Sequence, residues 1–397
     1  MKKVILFSDE IKDFSFDNKI VNKSLVDFPL ITCKNAGVEE VLLLGEERRV
    51  NGLGFTSKED LIAGLDYDDS LLFFNVNMPF VTAKMIIKAF DRLKADKLDV
   101  YIEQAESGAA LYSIKGGRLK EELEKASEKG LEEVLFSLTL QGKKTKLIRV
   151  KSSKKLYQVK DMLSLSKADS MMRKSINKGF LEKGVFIESP ETVTIEPGVE
   201  IGKSTRIESG VRILGKTRIG ENCTIGFNSK IEDSIIHDNV DVYTSFIEKS
   251  EVEAYTNIGP FARLRPNSHL KEHVHIGNFV EVKNSSVGNG TKAGHLAYIG
   301  DADLGDDINV SCGVIFANYD GKFKHRSKVE DGAFIGSNVN IVSPVHVAKE
   351  GYIAAGSTVT KDVREGYLVV ERAERKDIEG YVERKKQRDK LKEEAKN

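Results

Sequence analysis

His295, in the stretch AGHLAYIGDADLG (residues 293–305), is one of seven histidines in this sequence and a candidate for proton transfer. An imidazole changes charge near neutral pH, so it can accept a proton from an attacking group. Small and apolar residues surround His295, and a histidine in such a setting more often packs than reacts. The residues alone leave both interpretations open, and the elements around His295 must decide between them.

Three other histidines, His269, His273 and His275, lie close together and raise the alternative of a metal site. A zinc site of this kind needs three nitrogen ligands that converge on one ion. These three fall within one short segment, and no matching partner pattern occurs elsewhere. We therefore expect them to pack on the surface rather than bind metal.

Composition excludes several classes of protein. Lys+Arg and Asp+Glu both number 61, so the net charge is zero and no overall field attracts nucleic acid or an acidic membrane. No apolar run approaches the roughly 20 residues that a membrane-spanning helix needs, and the apolar start of MKKVILFSDEIKDF is too short for a signal peptide. The three cysteines are widely spaced, without a CxxC pair. Together these features predict a soluble protein of a reducing, cytoplasmic setting.

Apolar residues recur every six positions in the second half of the chain. The first run is Ile195, Ile201, Ile207, Ile213, Ile219, Ile225 and Ile231, and the pattern resumes from Val252 and from Val329. Six matches neither a helix nor a long alternating strand, but it is the hexapeptide repeat of the parallel β-helix with left-handed coils. We predict about nine coils of roughly 18 residues, with the periodic residues pointing inward.

The first part of the chain alternates strand-like runs with segments of helical spacing. The apolar runs are KKVILF, EEVLLLG, SLLFFNV and DKLDVYI. This alternation predicts a doubly wound α/β domain with a mainly parallel sheet. Apolar residues on one helical stripe then predict a connecting helical arm.

One insertion interrupts the six-residue repeat between Phe316 and Val329, where the chain reads ANYDGKFKHRSK. A loop that leaves a regular scaffold is where function is expected, because the scaffold holds it in place. Beyond the repeats, residues 374–397 form a charged segment with helical propensity. Its interpretation as a solvated helix and its interpretation as an assembly element stay equally open.

Several long segments resemble the acetyltransferase half of the bifunctional N-acetylglucosamine-1-phosphate uridyltransferase / glucosamine-1-phosphate N-acetyltransferase family. The resemblance is nearly continuous from about residue 250 to residue 372, and it rests on GPFARLRP (259–266), HIGNFVEVKNSSVGNGTKAGHLAYIGDADLGDDINV (275–310), ANYDG (317–321), EDGAFIGSN (330–338) and AAGSTVTKDV (354–363). It implies four regions: a nucleotidyltransferase-like domain (1–156), the helical arm (157–185), the β-helix acetyltransferase domain (186–365) and a charged tail (366–397).

The resemblance also implies a role for individual residues. His295 matches the catalytic base, and Glu281 is inferred to orient it. The residues matched to the sugar phosphate are Arg265, Lys283, Tyr298, Asn309 and Lys324. Those matched to the co-substrate acetyl-CoA are Cys312, Asn318, Tyr319, Ser337, Ala355 and Arg372. Ser311-Cys312 replaces the family's usual Gly-Ala, which places a thiol near the acetyl donor.

The N-terminal part departs from the family pattern. The family's glycine-rich loop is replaced by VILFSDEIKDFSFDNK, and no glycine occurs before Gly37. Asn77 stands where the family has a magnesium-binding aspartate, and Lys160 stands at the second metal ligand. A lysine repels a cation, so we expect no magnesium site and a lost uridyltransferase activity.

The expected function is therefore transfer of an acetyl group from acetyl-CoA to glucosamine-1-phosphate by a cytoplasmic homotrimer, for UDP-N-acetylglucosamine and cell-wall synthesis. No nucleic acid or membrane partner is expected. Two alternatives stay open: a fully bifunctional enzyme that also makes UDP-N-acetylglucosamine from UTP, and a non-catalytic trimeric scaffold.

Overall fold

The structure, a computed structural model, describes residues 1–7, 19–44, 54–125, 131–140, 144–150 and 154–394. The chain divides into two compact units, residues 1–216 and 217–397. An α/β sheet, a helical arm and stacked parallel strands follow one another along the chain, which confirms the predicted fold class. The four domain boundaries stay predictions, and residues 8–18, at the position of the family's glycine-rich loop, lie outside the described residues.

The α/β part begins the first unit. Its strands are β1 (Lys2–Phe7), β2 (Lys19–Ile20), β3 (Lys23–Ser24), β4 (Glu40–Leu44), β5 (Gly54–Thr56), β6 (Ser70–Asn75), β7 (Val100–Ala105), β8 (Ala110–Lys115) and β9 (Thr145–Val150). Its helices are α1 (Asp27–Asn35), α2 (Lys58–Ala63), α3 (Ala83–Ala95), α4 (Gly116–Lys125) and α5 (Leu131–Thr139).

Seven of these strands form one mixed sheet in the order β5-β4-β1-β6-β8-β7-β9. Its pairs are parallel except for β6–β8 and β7–β8, which are antiparallel. Strand β1 lies between β4 and β6, so β4 and β5 are added on one side of β1 and the later strands on the other. Ligands of such sheets bind at the carboxyl ends of the strands beside this switch.

The predicted arm is helix α6 (Met162–Glu182). It begins with a capping box, in which Asp161 accepts from the Ser164 N–H and the Ser164 hydroxyl accepts from the Asp161 N–H. Ala168 is fully buried and packs in a cluster with Ile20 and Leu25 of the α/β part. The arm is thus held to the α/β part by an apolar contact.

Short parallel strands follow the arm. They are β10 (Phe186–Ile187), β11 (Thr194–Ile195), β12 (Glu200–Ile201), β13 (Arg206–Ile207), β14 (Arg212–Leu214), β15 (Arg218–Ile219), β16 (Thr224–Ile225), β17 (Lys230–Glu232), β18 (Ile235–Ile236), β19 (Asp241–Val242), β20 (Phe246–Glu248), β21 (Glu251–Val252), β22 (Asn257–Ile258), β23 (Arg263–Leu264), β24 (His269–Leu270), β25 (His275–Asn278), β26 (Glu281–Lys283), β27 (Ser286–Val287), β28 (Lys292–His295), β29 (Tyr298–Gly300), β30 (Ala302–Leu304), β31 (Asn309–Val310), β32 (Ile315–Ala317), β33 (Ser327–Val329), β34 (Phe334–Ile335), β35 (Asn340–Val342), β36 (His346–Val347), β37 (Tyr352–Ile353), β38 (Thr358–Val359) and β39 (Leu368–Val369).

From β10 to β38 every third strand joins the same sheet, and β39 pairs with β37, which gives three parallel sheets of 11, 10 and 9 strands. The periodic residues point inward as predicted, and all seven isoleucines of the first run are buried except the half-buried Ile201. Buried hydroxyls hold the corners, since Ser285 Oγ accepts from the Ala302 N–H of the next coil and Ser327 Oγ accepts from the Val345 N–H. Each coil therefore satisfies the corner backbone of its neighbour.

The charged C-terminal segment contains helix α7 (Tyr381–Glu394), none of whose residues is buried. Its role in assembly stays untested. Within the described residues, the helices lack an apolar stretch of the length that a bilayer crossing requires.

Candidate active site

His295 begins a row of residues that runs along one edge of the β-helix. Strand pairing places Asn278 against His295, Val310 against Ile335 and Ile335 against Ile353. The same register aligns His295 with the predicted co-substrate residues Cys312, Ser337 and Ala355, one per coil. Successive members are therefore about 4.8 Å apart along the stacking direction.

The row lies at an edge because each member directly precedes a residue with positive φ. Leu296 follows His295 with a φ of 46°, and Asn338 follows Ser337 with a φ of 54°. Glycine takes this position after Cys312 and Ala355, where Gly313 and Gly356 have φ values of 78° and 76°. The sharp turn leaves the preceding side chain at the rim, so His295 is exposed while Ala293 and Ile299 are fully buried.

The ring of His295 contacts Asn278 rather than Glu281. His295 Nδ1 lies 2.7 Å from Asn278 Oδ1. The Glu281 carboxylate instead accepts from Arg265 Nη1 at 2.9 Å, and this contact raises the pKa of Arg265. Because Arg265 of the preceding coil holds the Glu281 carboxylate, the structure shows no hydrogen bond from Glu281 to His295, and the orienting role of Glu281 stays a prediction.

Three cations gather on the face that Tyr298 shares. Lys283 is the last residue of β26. The pKa of Lys283 is lowered chiefly by the adjacent ammonium of Lys324, then by burial and by Arg265. Neighbouring positive charges repel one another, and a bound anion would reduce that repulsion. Arg265, Lys283 and Lys324, each matched to the sugar phosphate by the resemblance, thus form one group of neighbouring cations on a single chain.

A second row fixes the inserted loop to the β-helix. The buried carboxylate of Asp301 accepts from Asn284 Nδ2 on one side and from Asn318 Nδ2 on the other. Asn318 Nδ2 also lies 3.5 Å from the hydroxyl of Tyr298. At the far end of the loop, Arg326 forms an ion pair with Asp303. The predicted Asn318 and Tyr298 are therefore brought together, with Asp301 as their anchor.

The remaining predicted residues are Asn309, Tyr319 and Arg372, and one of them contacts the cation group, since Tyr319 forms an antiparallel backbone bridge with Lys324. Asn309 Nδ2 donates to Ser311 Oγ at 2.9 Å, and the hydroxyl of Tyr319 donates to the carbonyl of Gly321 at 2.6 Å. Arg372 lies beside Gly356 at the end of the His295 row, where its exposed guanidinium can face a phosphate. Their assignment to ligands stays a prediction.

We expect Asp301→Ala to destabilise the protein by about 1–3 kcal/mol, because two amide donors lose their buried acceptor. Acetyl transfer should fall as well, since Asn318 and the loop lose their anchor. Asp307→Ala is the matched control, because Asp307 is exposed and has a similarly positive φ, 54° against 51°. Urea unfolding and initial rates would measure both effects. Equal losses in the two variants would contradict the anchoring role.

Sequence reasoning missed Asn278 and Asp301, although a signal for both was present. Asn278 and His295 are 17 residues apart, and so are Asn284 and Asp301. The same separation joins Asp301 to Asn318. Residues one coil apart are neighbours, so polar residues at this spacing predict direct contacts.

The three clustered histidines point to different partners. His269 Nε2 lies 2.6 Å from Glu253, His273 stacks on Tyr255, and His275 Nδ1 contacts Asn257. Their partners are three different residues. Among the described residues, no group of three or more His, Cys, Asp or Glu side chains is arranged to hold a metal ion.

Comparison with known proteins places this chain in a family. No family model matches it. It is 36% identical over 330 residues to the bifunctional protein GlmU of Alkaliphilus metalliredigens strain QYMF, a match that covers 80% of this chain and 72% of that protein. The chain belongs to the GlmU family. It is also similar to GlmU of Clostridioides difficile strain 630, at 41% identity over 77% of this chain and 67% of the relative.

The coverage of these GlmU relatives is partial. GlmU of Alkaliphilus oremlandii strain OhILAs is 46% identical over 286 residues, which are 70% of this chain but only 63% of that protein. The chain thus spans about two thirds of the length of the curated GlmU proteins it matches.

A cavity of about 310 Å³ occupies the switch point of the α/β sheet in this GlmU family member. Phe7 and Asn75 line it at the carboxyl ends of β1 and β6, and Lys160 lines it from the segment before the arm. Asn77 is fully buried, and its side-chain amide has no hydrogen-bond partner. None of the described residues that line the cavity is a carboxylate.

Proposed function

We propose that the protein transfers an acetyl group from acetyl-CoA to the amino group of glucosamine-1-phosphate, which gives N-acetylglucosamine-1-phosphate and coenzyme A. The observation that carries the proposal is the position of an exposed histidine at the head of the row, beside a face where three cations gather. Membership of the GlmU family supports the same assignment.

The His295 ring can act as the base. Nδ1 faces Asn278, which leaves Nε2 to accept a proton as the substrate amine attacks the thioester carbonyl carbon. The new C–N bond forms, the C–S bond breaks, and the thiolate of coenzyme A leaves with the electron pair and takes up a proton. No covalent enzyme intermediate is required.

The cation group suits the phosphate of the substrate. A guanidinium can grip phosphate oxygens through two parallel N–H donors, whereas an ammonium acts as a compact charge. Arg265 is held for this role by Glu281, and Lys283 and Lys324 bring two further charges. Tyr298, on the same face, is available to the sugar hydroxyls.

The row supplies a track for the thioester arm. It passes from His295 through Cys312 and Ser337 to Ala355, and Arg372 stands at its end. The side chains along it are small, so an extended pantetheine chain can lie against the edge. A cationic residue at the far end suits the phosphates of acetyl-CoA.

We propose a homotrimer in the cytoplasm, with the site at the groove between copies. Exposed apolar side chains follow the row's edge: Phe261, Phe279 and Leu296 are 56%, 55% and 57% exposed. Phe261 and Phe279 stack with ring centroids 5.5 Å apart. A ridge of this kind is typical of a surface that another copy covers.

We further propose that the N-terminal part does not carry out the uridyltransferase reaction. Lys160 brings a positive charge into the cavity at the switch point, and the buried Asn77 amide does not line that cavity. A magnesium ion needs oxygen ligands, usually including carboxylates. Retention of this domain for folding, assembly or regulation agrees with these features.

Two assays on the purified protein test the proposal. The first follows thiol release from acetyl-CoA with glucosamine-1-phosphate, and we expect turnover. The second follows pyrophosphate release from UTP with N-acetylglucosamine-1-phosphate, and we expect none. Activity in the second assay would favour a bifunctional enzyme. A folded trimer that fails the first assay would favour the scaffold.

Thiol reagents should inhibit acetyl transfer, and acetyl-CoA should protect against them, because Cys312 lies one coil from His295. The other cysteines serve as internal controls: Cys33 and Cys223 are buried, and burial raises the pKa of Cys33 to about 12. Mass spectrometry of the modified protein would measure the rate at each thiol. Equal modification of Cys312 with and without acetyl-CoA would contradict its position on the track.

A further inference from the structure

We propose that Asn278 is the positioning residue of His295: its amide oxygen selects the tautomer with the proton on Nδ1 and aims Nε2 at the substrate amine. The inference deepens the proposed function and rests on it for its kinetic part. Its spectroscopic part concerns only the ring and its neighbour, and it holds whether or not the substrate assignment is correct.

The contact itself selects the tautomer. Asn278 Oδ1 lies 2.7 Å from His295 Nδ1. A carbonyl oxygen has no proton to donate, so Nδ1 must carry the hydrogen of this bond. A neutral imidazole has one N–H, and Nε2 is then left with the lone pair that a general base needs.

Strand pairing makes this contact rigid. Asn278 and His295 are directly paired in adjacent coils, at the ends of β25 and β28. Each is followed by a residue with positive φ, Phe279 at 58° and Leu296 at 46°. Both side chains therefore leave the edge at equivalent positions, and the distance between them is fixed by the coil spacing rather than by a flexible loop.

The acceptor is neutral, and this matters for the pH range of activity. A carboxylate in place of Asn278 would stabilise the imidazolium and hold a proton on the base. The other titratable groups near the ring are His275 on β25, Lys292 on β28 and the thiol of Cys312, one coil further along the row. The pKa of His275 is lowered by burial, then by His295 and Lys292, so His275 adds little positive charge at neutral pH. An amide thus orients His295 without making it cationic.

Nuclear magnetic resonance of the full chain with ¹⁵N-labelled histidine tests the tautomer directly. We expect the His295 signals, assigned by their loss in His295→Gln, to show the Nδ1–H form above the pH at which the ring titrates. Asn278→Ala should give a mixture of tautomers. An Nε2–H form in the unaltered protein, or an unchanged ring signal in Asn278→Ala, would overturn the inference.

Kinetics test the consequence for acetyl transfer. Asn278→Ala should lower kcat about ten- to hundredfold with little change in KM, as for other residues that orient a functional histidine. Asn278→Asp should restore the Nδ1–H form but raise the pKa of His295, so the acid limb of the kcat/KM profile should move to higher pH. A profile that does not move would contradict the role of the neutral acceptor.

Asn257→Ala is the matched control, because Asn257 makes the same contact with His275 one coil earlier. It should leave the His295 tautomer and kcat unchanged. If the two alanine variants lose activity equally, the contact acts through stability alone and the inference fails. If the unaltered protein shows no acetyl transfer, the proposed function fails while the spectroscopic result still stands.

Discussion

His295→Ala is expected to lower kcat for acetyl transfer about a hundred- to ten-thousandfold, because the reaction loses its general base. The amine of the substrate must lose a proton as it attacks, and no other described imidazole lies in the row. Thiol release from acetyl-CoA, followed by initial rates, measures the effect. Since His295 is exposed, its removal opens no cavity in the core, and the unfolding midpoint should hardly change.

His237→Ala is the control for this prediction. His237 lies on the same β-helix and pairs with Glu251 at 2.9 Å, but it is outside the site. Its replacement should leave kcat unchanged. A His295→Ala variant that retains more than about a tenth of the activity would show that water or another group takes the proton, because a positioned general base contributes at least a hundredfold.

Phe316→Ala should produce the largest loss of stability, about 3–5 kcal/mol of the free energy of unfolding. Phe316 is fully buried and occupies an inward position, where it pairs with Ile341 of the next coil. Truncation removes the ring and leaves a cavity that the flanking coils cannot close, because strand hydrogen bonds fix their spacing. Chemical denaturation followed by circular dichroism measures the change.

The inserted loop supplies a matched control for Phe316. Phe323 is 59% exposed, so Phe323→Ala should change the free energy of unfolding by less than about 0.5 kcal/mol. Because Phe316 directly precedes Ala317 and Asn318, its truncation should also lower acetyl transfer at temperatures where the protein is still folded. Similar stability in the two phenylalanine variants would show that the coil repacks around the missing ring.

The period of six predicted most of the β-helix, because a single geometric rule governs it. One inward residue per short strand must be apolar, and the chain from Ile195 onward obeys that rule almost without exception. His295 and Tyr298 fall outside the inward positions of this period, and in the structure His295 is exposed and Tyr298 is half-buried. In the N-terminal part, alternating apolar runs predicted β1, β4, β6 and β7, but β8 and β9 carry a weaker signal and were not predicted.

Contacts between coils were harder to predict, because they depend on which residues stack and not on their type. Glu281 was linked to His295 through the family motif, whereas the structure pairs it with Arg265 of the preceding coil. Asn278 and Asp301 were missed because neither belongs to a residue type and spacing that indicates a site, and the burial of Asp301 is visible only in the structure. The separation of 17 residues that joins them to their partners becomes meaningful only once the coil length is known.

The residues in the row that begins at His295 are evenly spaced along the edge of the β-helix. Each coil advances the row by one fixed increment of about 4.8 Å, so distance from the base is counted in whole coils. Insertion or removal of a complete coil would shift Ser337 or Arg372 by one increment without disturbing the core. The reach of the site toward a long co-substrate is therefore set by the number of coils, independently of the side chains that perform the reaction.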